Sequence, residues 1–393
     1  MKRIYLDYAA TTPTKQEVVD AMLPYFTEHY GNPSSVHKFG RDNKVVVNNA
    51  RKTIADTMNA EVEEFYFTAG GTESDNWALR GVMKANSKKG NHLITSKIEH
   101  HGILHCCNEM EKEGYKVTYL DVDSDGKINL KELEEAITDE TVLISIMFAN
   151  NEIGTIQDVK AIGDIAKKHN VFFHTDAVQA FGNVRIDVKE MNIDLMSISG
   201  HKIFGPKGIG GLYIRKGVPI KNFVEGGAQE RKRRAGTENV PGIVGFAKAA
   251  ELIYADFDNH VNHLMKLRDK LISRVENEFE YVKLNGHRTD RLPGNVNISF
   301  EFIEGEALLL SLDIAGVAGS SGSACTSGSL DPSHVLMGIG LTHEIAHGSL
   351  RLTMGDVTTE EDIDYTVDKL KEIVDRLRSM SPLFESVTKG GKA

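Results

Sequence analysis

Two stretches set the fold class: Val171-Phe172-Phe173-His174-Thr175-Asp176 and Leu195-Met196-Ser197-Ile198-Ser199-Gly200-His201-Lys202. Each is a short apolar run that stops abruptly at polar, chemistry-bearing side chains. Continuous apolar runs of strand length read as strands buried on both faces, which calls for a parallel sheet covered by helices. On either side, comparable runs occupy 64–68, 92–96, 116–121, 142–149 and 211–214, and amphipathic stretches at 72–85 and 159–169 lie between several of them. The alternation predicts an α/β fold whose large domain holds a mostly parallel sheet under helices.

After residue 250 the period changes. Phe257, Val261, Leu264, Leu267, Leu271 and Val275 recur at helical spacing, as do Ile363, Val367, Leu370, Ile373 and Leu377, with strand-like 295–300 and 349–353 between them. This predicts a smaller α/β C-terminal domain. The large domain is placed at 14–258, and the small one at 1–13 plus 259–393. A length of 393 residues suits two or three domains at about 150 residues each. The tail after Ser381 is expected to fray.

Composition narrows the function. With 46 Lys and Arg against 56 Asp and Glu, the net charge of −10 is the wrong sign for a general nucleic-acid binder. No apolar run reaches the roughly 18 residues of a membrane helix, and Asp7 interrupts the first apolar stretch too early for a secretory signal. Three cysteines cannot build a disulfide framework, so a reducing, cytoplasmic setting is expected.

Several motifs compete. His343-Glu344-Ile345-Ala346-His347 fits a zinc-protease pattern, but Gly340 and Gly348 bracket it and no third ligand follows. Asp121, Asp123, Asp125, Gly126, Ile128 and Glu132 fit a calcium loop, but the sequence entering it alternates like a strand rather than a helix. His100, His101, His105, Cys106 and Cys107 match no common zinc spacing and read as the opening of a helix. Arg231-Lys232-Arg233-Arg234 reads as a solvated basic turn, or as a contact for an anionic partner. No metal site is assigned.

A further group is more coherent. Thr68-Ala69-Gly70-Gly71-Thr72 follows a strand and opens a helix, a turn that offers backbone N–H groups and a hydroxyl to an anion such as phosphate. Asp176 and Gln179 follow one strand end, and Ser199-Gly200-His201-Lys202 follows another, where open parallel sheets bind ligands. A lysine, a carboxylate and a phosphate cradle are what pyridoxal 5'-phosphate requires: an amine to carry it and an acid to hold its ring nitrogen protonated. Cys325 stands apart in the Gly/Ser-rich run Gly319-Ser320-Ser321-Gly322-Ser323-Ala324-Cys325-Thr326-Ser327-Gly328-Ser329. A thiol in such polar sequence is a candidate nucleophile, whereas Cys106 and Cys107 read as structural.

Over nearly its whole length the chain resembles the pyridoxal-phosphate-dependent cysteine desulfurases of the NifS/IscS-like type, within the class-V aminotransferase superfamily. The resemblance is carried by Tyr5-Leu6-Asp7-Tyr8-Ala9-Ala10-Thr11-Thr12-Pro13, Gly31-Asn32-Pro33-Ser34-Ser35, Thr72-Glu73-Ser74-Asp75-Asn76 and Asn150-Asn151-Glu152-Ile153-Gly154. Ser199-Gly200-His201-Lys202, Arg234-Ala235-Gly236-Thr237-Glu238-Asn239 and the Cys325 run complete it. It implies the fold type I of pyridoxal-phosphate transferases and a homodimer with shared sites. It implies that Lys202 carries the cofactor and moves the Cα proton, that Asp176 pairs with the ring nitrogen and Gln179 with the ring hydroxyl oxygen, and that His100 stacks on the ring. The phosphate would lie on Gly71, Thr72, Ser199 and His201, with Thr237 reaching in from the partner subunit; Asn151 would also bind the cofactor, and His100 would count with Lys202 and Cys325 as catalytic. Arg351, Asn32 and Asn151 would bind the carboxylate of L-cysteine, and Cys325 would take its sulfur as a persulfide, leaving alanine. The Cys325 run fits the long-loop class, which passes sulfur to an acceptor protein such as an iron–sulfur scaffold. A selenocysteine lyase or a pyridoxal-phosphate aminotransferase is the alternative among enzymes, and a calcium- or zinc-binding protein the alternative outside them.

Overall fold

In the computed structural model, which describes residues 3–321 and 332–389, a short strand β1 (Ile4–Tyr5) precedes the main sheet. The apolar runs then become β2 (Phe65–Thr68), β3 (His92–Ser96), β4 (Lys116–Leu120), β5 (Thr141–Ser145), β6 (Phe172–Asp176), β7 (Leu195–Ser199) and β8 (Gly210–Ile214). Every side chain of β3, β5, β7 and β8 is buried, which is why these strands read as continuous apolar runs rather than alternating ones. The sheet order is β2-β8-β7-β6-β5-β3-β4. β4 through β7 are joined by parallel pairings, and only β8 runs antiparallel to both of its neighbours.

Helices cover both faces. On one, helices Lys38–Asp56, Val159–Lys168 and Val240–Ala255 pack Ile54, Ile162 and Phe246 against Phe173, Ile144 and Ile198. On the other, helices Gly71–Ala85 and His101–Lys112 bring Trp77, Val82 and Met110 against Leu93, Leu143 and Leu212. Burying such side chains contributes about 1.5–3 kcal/mol each, so the two layers fix the sheet, and with it the strand ends, in place.

A second cluster gathers the C-terminal elements. Antiparallel strands β9 (Val282–Leu284), β10 (Asn295–Phe300) and, after β11 (Val317–Ala318), β12 (Ser349–Thr353) pack Val296, Ile298 and Leu350 against helices Phe257–Glu278 and Glu360–Ser379. Ile4 and Leu6 belong to this cluster, because β1 pairs in parallel with β11. Asp356 accepts from Lys15 Nζ and lies 2.6 Å from His260 Nδ1, joining the N-terminal segment to the helix Phe257–Glu278. Burial opposes ionisation of Asp356, yet the His260 and Lys15 contacts outweigh it and hold the carboxyl down at about 2. A depressed carboxyl contributes stability above its unfolded pKa and loses it as pH falls through the folded value. Asp356→Asn is therefore expected to flatten the acid side of the stability curve between about pH 4 and pH 2, measured by urea unfolding across that window.

Two expectations change, for the C-terminal stretch and the basic run, and the strand-entered turn at the calcium-like sequence holds. The stretch after Ser381 does not fray at once: it forms the helix Pro382–Lys389, with Phe384 packed 5.8 Å from Phe302 and 6.0 Å from Tyr281. The calcium-loop sequence is entered by strand β4, and Asp123 Oδ1 accepts the N–H groups of Asp125 and Lys127, both at 2.9 Å, so it serves a turn. The basic run is not simply solvated. Arg231 donates to the carbonyls of Val62, Glu63 and Phe65, and Arg234 forms a two-pronged ion pair with Glu73 at 2.8 and 3.1 Å. His343–His347 is the short helix expected, its two imidazoles 5.1 Å apart. Among the described residues no three His, Cys, Asp or Glu side chains converge as a metal set, and no helix is long and apolar enough to cross a membrane.

Candidate active site

The carboxyl ends of β5, β6 and β7 open into a cavity of about 320 Å³. The strands deliver their polar terminal residues there because each apolar run ends where the sheet does. Gly71, Thr72, His100, Asn151, Asp176, Gln179, Ser199, His201, Lys202 and Arg351 all line it, so ten residues singled out in the sequence meet at one site.

One wall is the N-terminus of the helix Gly71–Ala85, whose first N–H groups lack intrahelical partners and favour an anion. Glycine is required at its first position, since a Cβ on Gly71 would come within 2.6 Å of Val178 Cγ2. Thr72, Ser199 and His201 surround this end. His201 Nδ1 lies 3.1 Å from Thr11 Oγ1, and burial lowers the imidazole to about 4, so it is a neutral ring. These groups suit a phosphate.

Lys202 closes a single 3-10 turn, Gly200–Lys202, after β7. Its Nζ donates to the carbonyls of Ala9 and Ala10, the latter at 2.9 Å, which fixes the amine at the cavity floor. Asp176 ends β6, and its Oδ1 accepts the Val178 N–H at 2.9 Å. Burial raises this carboxyl, while His100, the Val178 N–H and Lys202 draw it back. Gln179 is held by donating from Nε2 to Ala9 O at 3.0 Å. His100 caps the helix His101–Lys112: its Nδ1 accepts the Gly102 N–H at 3.0 Å, so in the neutral ring that burial favours, Nε2 carries the proton. A cavity holding an amine, a buried carboxyl and an anion cradle fits pyridoxal phosphate in charge and in donor set.

Arg351, on β12, brings the second cluster to the cavity. Its guanidinium is 3% exposed, donates to Asn151 O at 3.1 Å and to Asp7 Oδ1 at 3.0 Å, and leaves Nε without a hydrogen-bond partner among the described residues. An arginine held on two sides with donor capacity left over can take a carboxylate.

Asn32 and Thr237 do not line the cavity within this chain. Asn32 Oδ1 accepts the Ser34 N–H at 2.9 Å, and Thr237 lies exposed beyond the Arg234–Glu73 pair. Cys325 lies outside the described residues. Cys106 and Cys107 are buried, and burial pushes Cys106 up to about 11 and Cys107 higher still, so neither is a thiolate near neutral pH.

Sequence reasoning missed the polar groups beneath the cavity. The β-sheet register sets Ser145 beside His174 and Asp176 beside Ser197, and the His174 ring lies 2.8 Å from Ser145 Oγ and 3.0 Å from Ser197 Oγ. Burial lowers His174 to about 3, so it is neutral. Asp75 Oδ1 has no hydrogen-bond partner among the described residues and lies 3.8 Å from His174 Nε2; burial, then the Asp176 charge, raise Asp75 well above the usual range. Glu99 accepts from Ser96 Oγ at 2.7 Å and the Met147 N–H at 2.9 Å, and burial raises it to about 8. Asp75 and Glu99 did stand inside or beside segments already of interest, but only the fold reveals that both are buried near Asp176.

Comparison with known proteins gives a consistent picture. The aminotransferase class-V family profile matches residues 4–366. A cysteine desulfurase IscS of Clostridium botulinum is 56% identical over 390 residues, covering 99% of this chain and 98% of its own length. One of Methanosarcina thermophila is 58% identical over 382 residues, covering 97% and 94%. A solved NifS-like protein superimposes with a TM-score of 0.90 at 38% identity, over 96% of this chain and all of the other.

Proposed function

The chain belongs to the class-V aminotransferase family, and from that membership we propose that it is a pyridoxal-phosphate-dependent cysteine desulfurase, forming alanine and a persulfide from L-cysteine. The convergence of Lys202, Asp176, the Gly71–Thr72 helix start and Arg351 in one cavity carries this reading. Gly71 and Thr72, with Ser199 and His201, would hold the phosphate; Asp176 would keep the ring nitrogen protonated, Gln179 would contact the ring oxygen and His100 would stack on the ring. When bound, pyridoxal phosphate supplies an electron sink for charge developing at Cα of the amino acid. Arg351 and Asn151, joined by Asn32, orient the substrate carboxylate, and Lys202 Nζ carries the cofactor and moves the Cα proton. Cys325 Sγ attacks the substrate sulfur: an S–S bond forms on the enzyme, the Cβ–S bond breaks, and proton uptake on carbon releases alanine.

The remaining assignments are part of the same proposal. The large domain spans 14–258, and 1–13 with 259–393 form the smaller one. The active form is a homodimer in which Thr237 of one subunit completes the phosphate site of the other. The exposed apolar side chains Phe26, Tyr30, Val36, Phe39 and Val45, with Tyr30 stacked on Phe39, fall in the same stretch of sequence as Asn32 and support a second copy covering it. The enzyme works in the cytoplasm and passes its persulfide sulfur to an acceptor protein such as an iron–sulfur scaffold.

The test is Cys325→Ala. The variant is expected to keep the change in visible absorption that L-cysteine causes in the holoenzyme, yet to lose alanine formation by about 10³-fold or more, as removal of a nucleophile does. Full sulfur release by this variant would sink the persulfide mechanism. Transfer of an amino group to a keto acid independent of Cys325 would favour the aminotransferase alternative.

A further inference from the structure

Ser320 and Ser333 flank Cys325 in the sequence, and each is hydrogen-bonded to a residue at or next to the cavity lining, Arg351 and Glu152. Ser320 exchanges two backbone hydrogen bonds with Arg351: Arg351 N–H to Ser320 O at 2.6 Å and Ser320 N–H to Arg351 O at 3.0 Å. Ser333 Oγ donates to Glu152 Oε2. Glu152 directly follows Asn151, whose carbonyl accepts from the Arg351 guanidinium at 3.1 Å. The contacts run in one line from one flank to the other: Ser320, Arg351, Asn151, Glu152, Ser333.

We infer that Glu152 and Ser333 are positioning residues that tie the end of the Cys325-bearing sequence to the subsite where Arg351 and Asn151 meet the substrate. The inference rests on the desulfurase reading of that subsite.

Helix capping does not account for the arrangement. Ser333 Oγ accepts the N–H groups of Val335 at 3.1 Å and Leu336 at 3.3 Å, which caps the helix His334–Gly338 and needs no carboxylate. A hydroxyl has one proton to donate, and Ser333 gives it to Glu152. Burying a carboxyl is costly unless it is paired, and Glu152 is 5% exposed. Burial raises it to about 7, opposed by the Ser333 bond and the Arg351 charge. The turn that presents Glu152 is itself rigid. Asn150 Oδ1 accepts the N–H groups of Glu152 and Ile153 at 2.8 and 3.0 Å, and Asn297 Nδ2 donates to Glu152 O at 3.2 Å. A fixed, buried carboxyl, next in sequence to the Asn151 that Arg351 contacts, is therefore the anchor, and Ser333 is what it holds.

The test compares Glu152→Ala, Ser333→Ala, Glu152→Gln and the double alanine variant as holoenzymes. Misplacing a reacting group by about 1 Å costs up to about 10²-fold, so each alanine variant is expected to lower kcat for alanine formation about tenfold or more. The Kd for L-cysteine, read from visible absorption, should stay within about twofold. Glu152→Gln, which keeps an oxygen for Ser333, should recover most of the rate, and the double variant should be no slower than the slower single one. Losses that multiply, a Kd that rises in step with the fall in kcat, or a glutamine variant as slow as the alanine variant would each overturn the inference. Iodoacetamide labelling of Cys325, read by mass, needs no turnover. If the tie holds, the two alanine variants label alike and differently from wild type; labelling at the wild-type rate would overturn it. A wild type that releases no alanine would defeat the proposed function, and labelling would still decide the tie.

Discussion

Lys202→Ala is expected to lower alanine formation from L-cysteine by about 10³-fold or more. On the proposed mechanism two functions disappear with one amine: the covalent hold on the cofactor and the group that moves the Cα proton. Proton transfer by a positioned side chain alone is worth about 10²–10⁴-fold. The Lys202 amine is placed by donating to the carbonyls of Ala9 and Ala10, two neighbours on the N-terminal segment. An amine offset from this point would not reach a ring placed, as proposed, between Asp176 and His100. Lys202→Arg should not rescue the rate, because a guanidinium stays protonated and cannot act as a base. Borohydride treatment followed by mass measurement separates the two functions. The wild-type chain should gain the mass of the reduced cofactor and the alanine variant should not. Retention of more than about a tenth of the wild-type rate by Lys202→Ala, well above the losses typical of removed acid–base groups, would remove Lys202 from the chemistry.

Much of this site was legible because parallel strands announce themselves twice. The run 195–199 is apolar enough to be buried on both faces, and it stops at Ser199-Gly200-His201-Lys202, whose polarity could only sit at a sheet end. Asp176 after β6 and Thr72 after β2 follow the same logic. The sense of β8 was not legible: its run Gly-Gly-Leu-Tyr-Ile looks like any buried strand, and its direction depends on the hairpin-like return after Lys202. Nor were Asp75 and Glu99. An acidic residue reads as solvated until packing removes its water, and the pull on Glu99 comes from Ser96 and Met147 on neighbouring elements. The basic run was misread for the same reason. Arg231 reaches carbonyls at 62, 63 and 65, far away in sequence, so local composition carried no sign of its partners. Asn32 and Thr237 differ again: neither lines the cavity of this chain, and under the proposed dimer they would complete a site of the partner subunit.

That basic run leads to the largest stability change expected, in Glu230→Ala. Glu230 takes both guanidinium nitrogens of Arg51 at 2.7 Å and the Phe67 N–H at 2.8 Å, with the two ionic side chains only 5% and 4% exposed. Breaking a buried pair from one side costs about 3–5 kcal/mol, because the remaining charge stays buried without its counter-ion. Here Arg51 would be left over the Phe67 ring with only the Phe65 carbonyl among its present partners, and the Phe67 N–H would lose its acceptor. The pair also maintains a strained backbone. Glu230, Arg231 and Lys232 have φ values of 44°, 56° and 67°, three successive left-handed residues without a glycine among them. Each costs about 1–2 kcal/mol, so the turn persists only while its surroundings over-determine it. Its release would free Arg234 from Glu73, whose carboxylate also accepts the N–H of Ala69 at 3.0 Å, within the turn proposed to hold the phosphate. Glu230→Ala should therefore lower the urea midpoint and, in the fraction still folded, weaken cofactor retention on dialysis. Arg51→Ala should destabilise by a similar amount, and the double variant by less than the sum of the two. A change below about 1 kcal/mol in Glu230→Ala, within the range of an ordinary surface substitution, would mean that the left-handed turn is held by Arg231 and its three carbonyls instead.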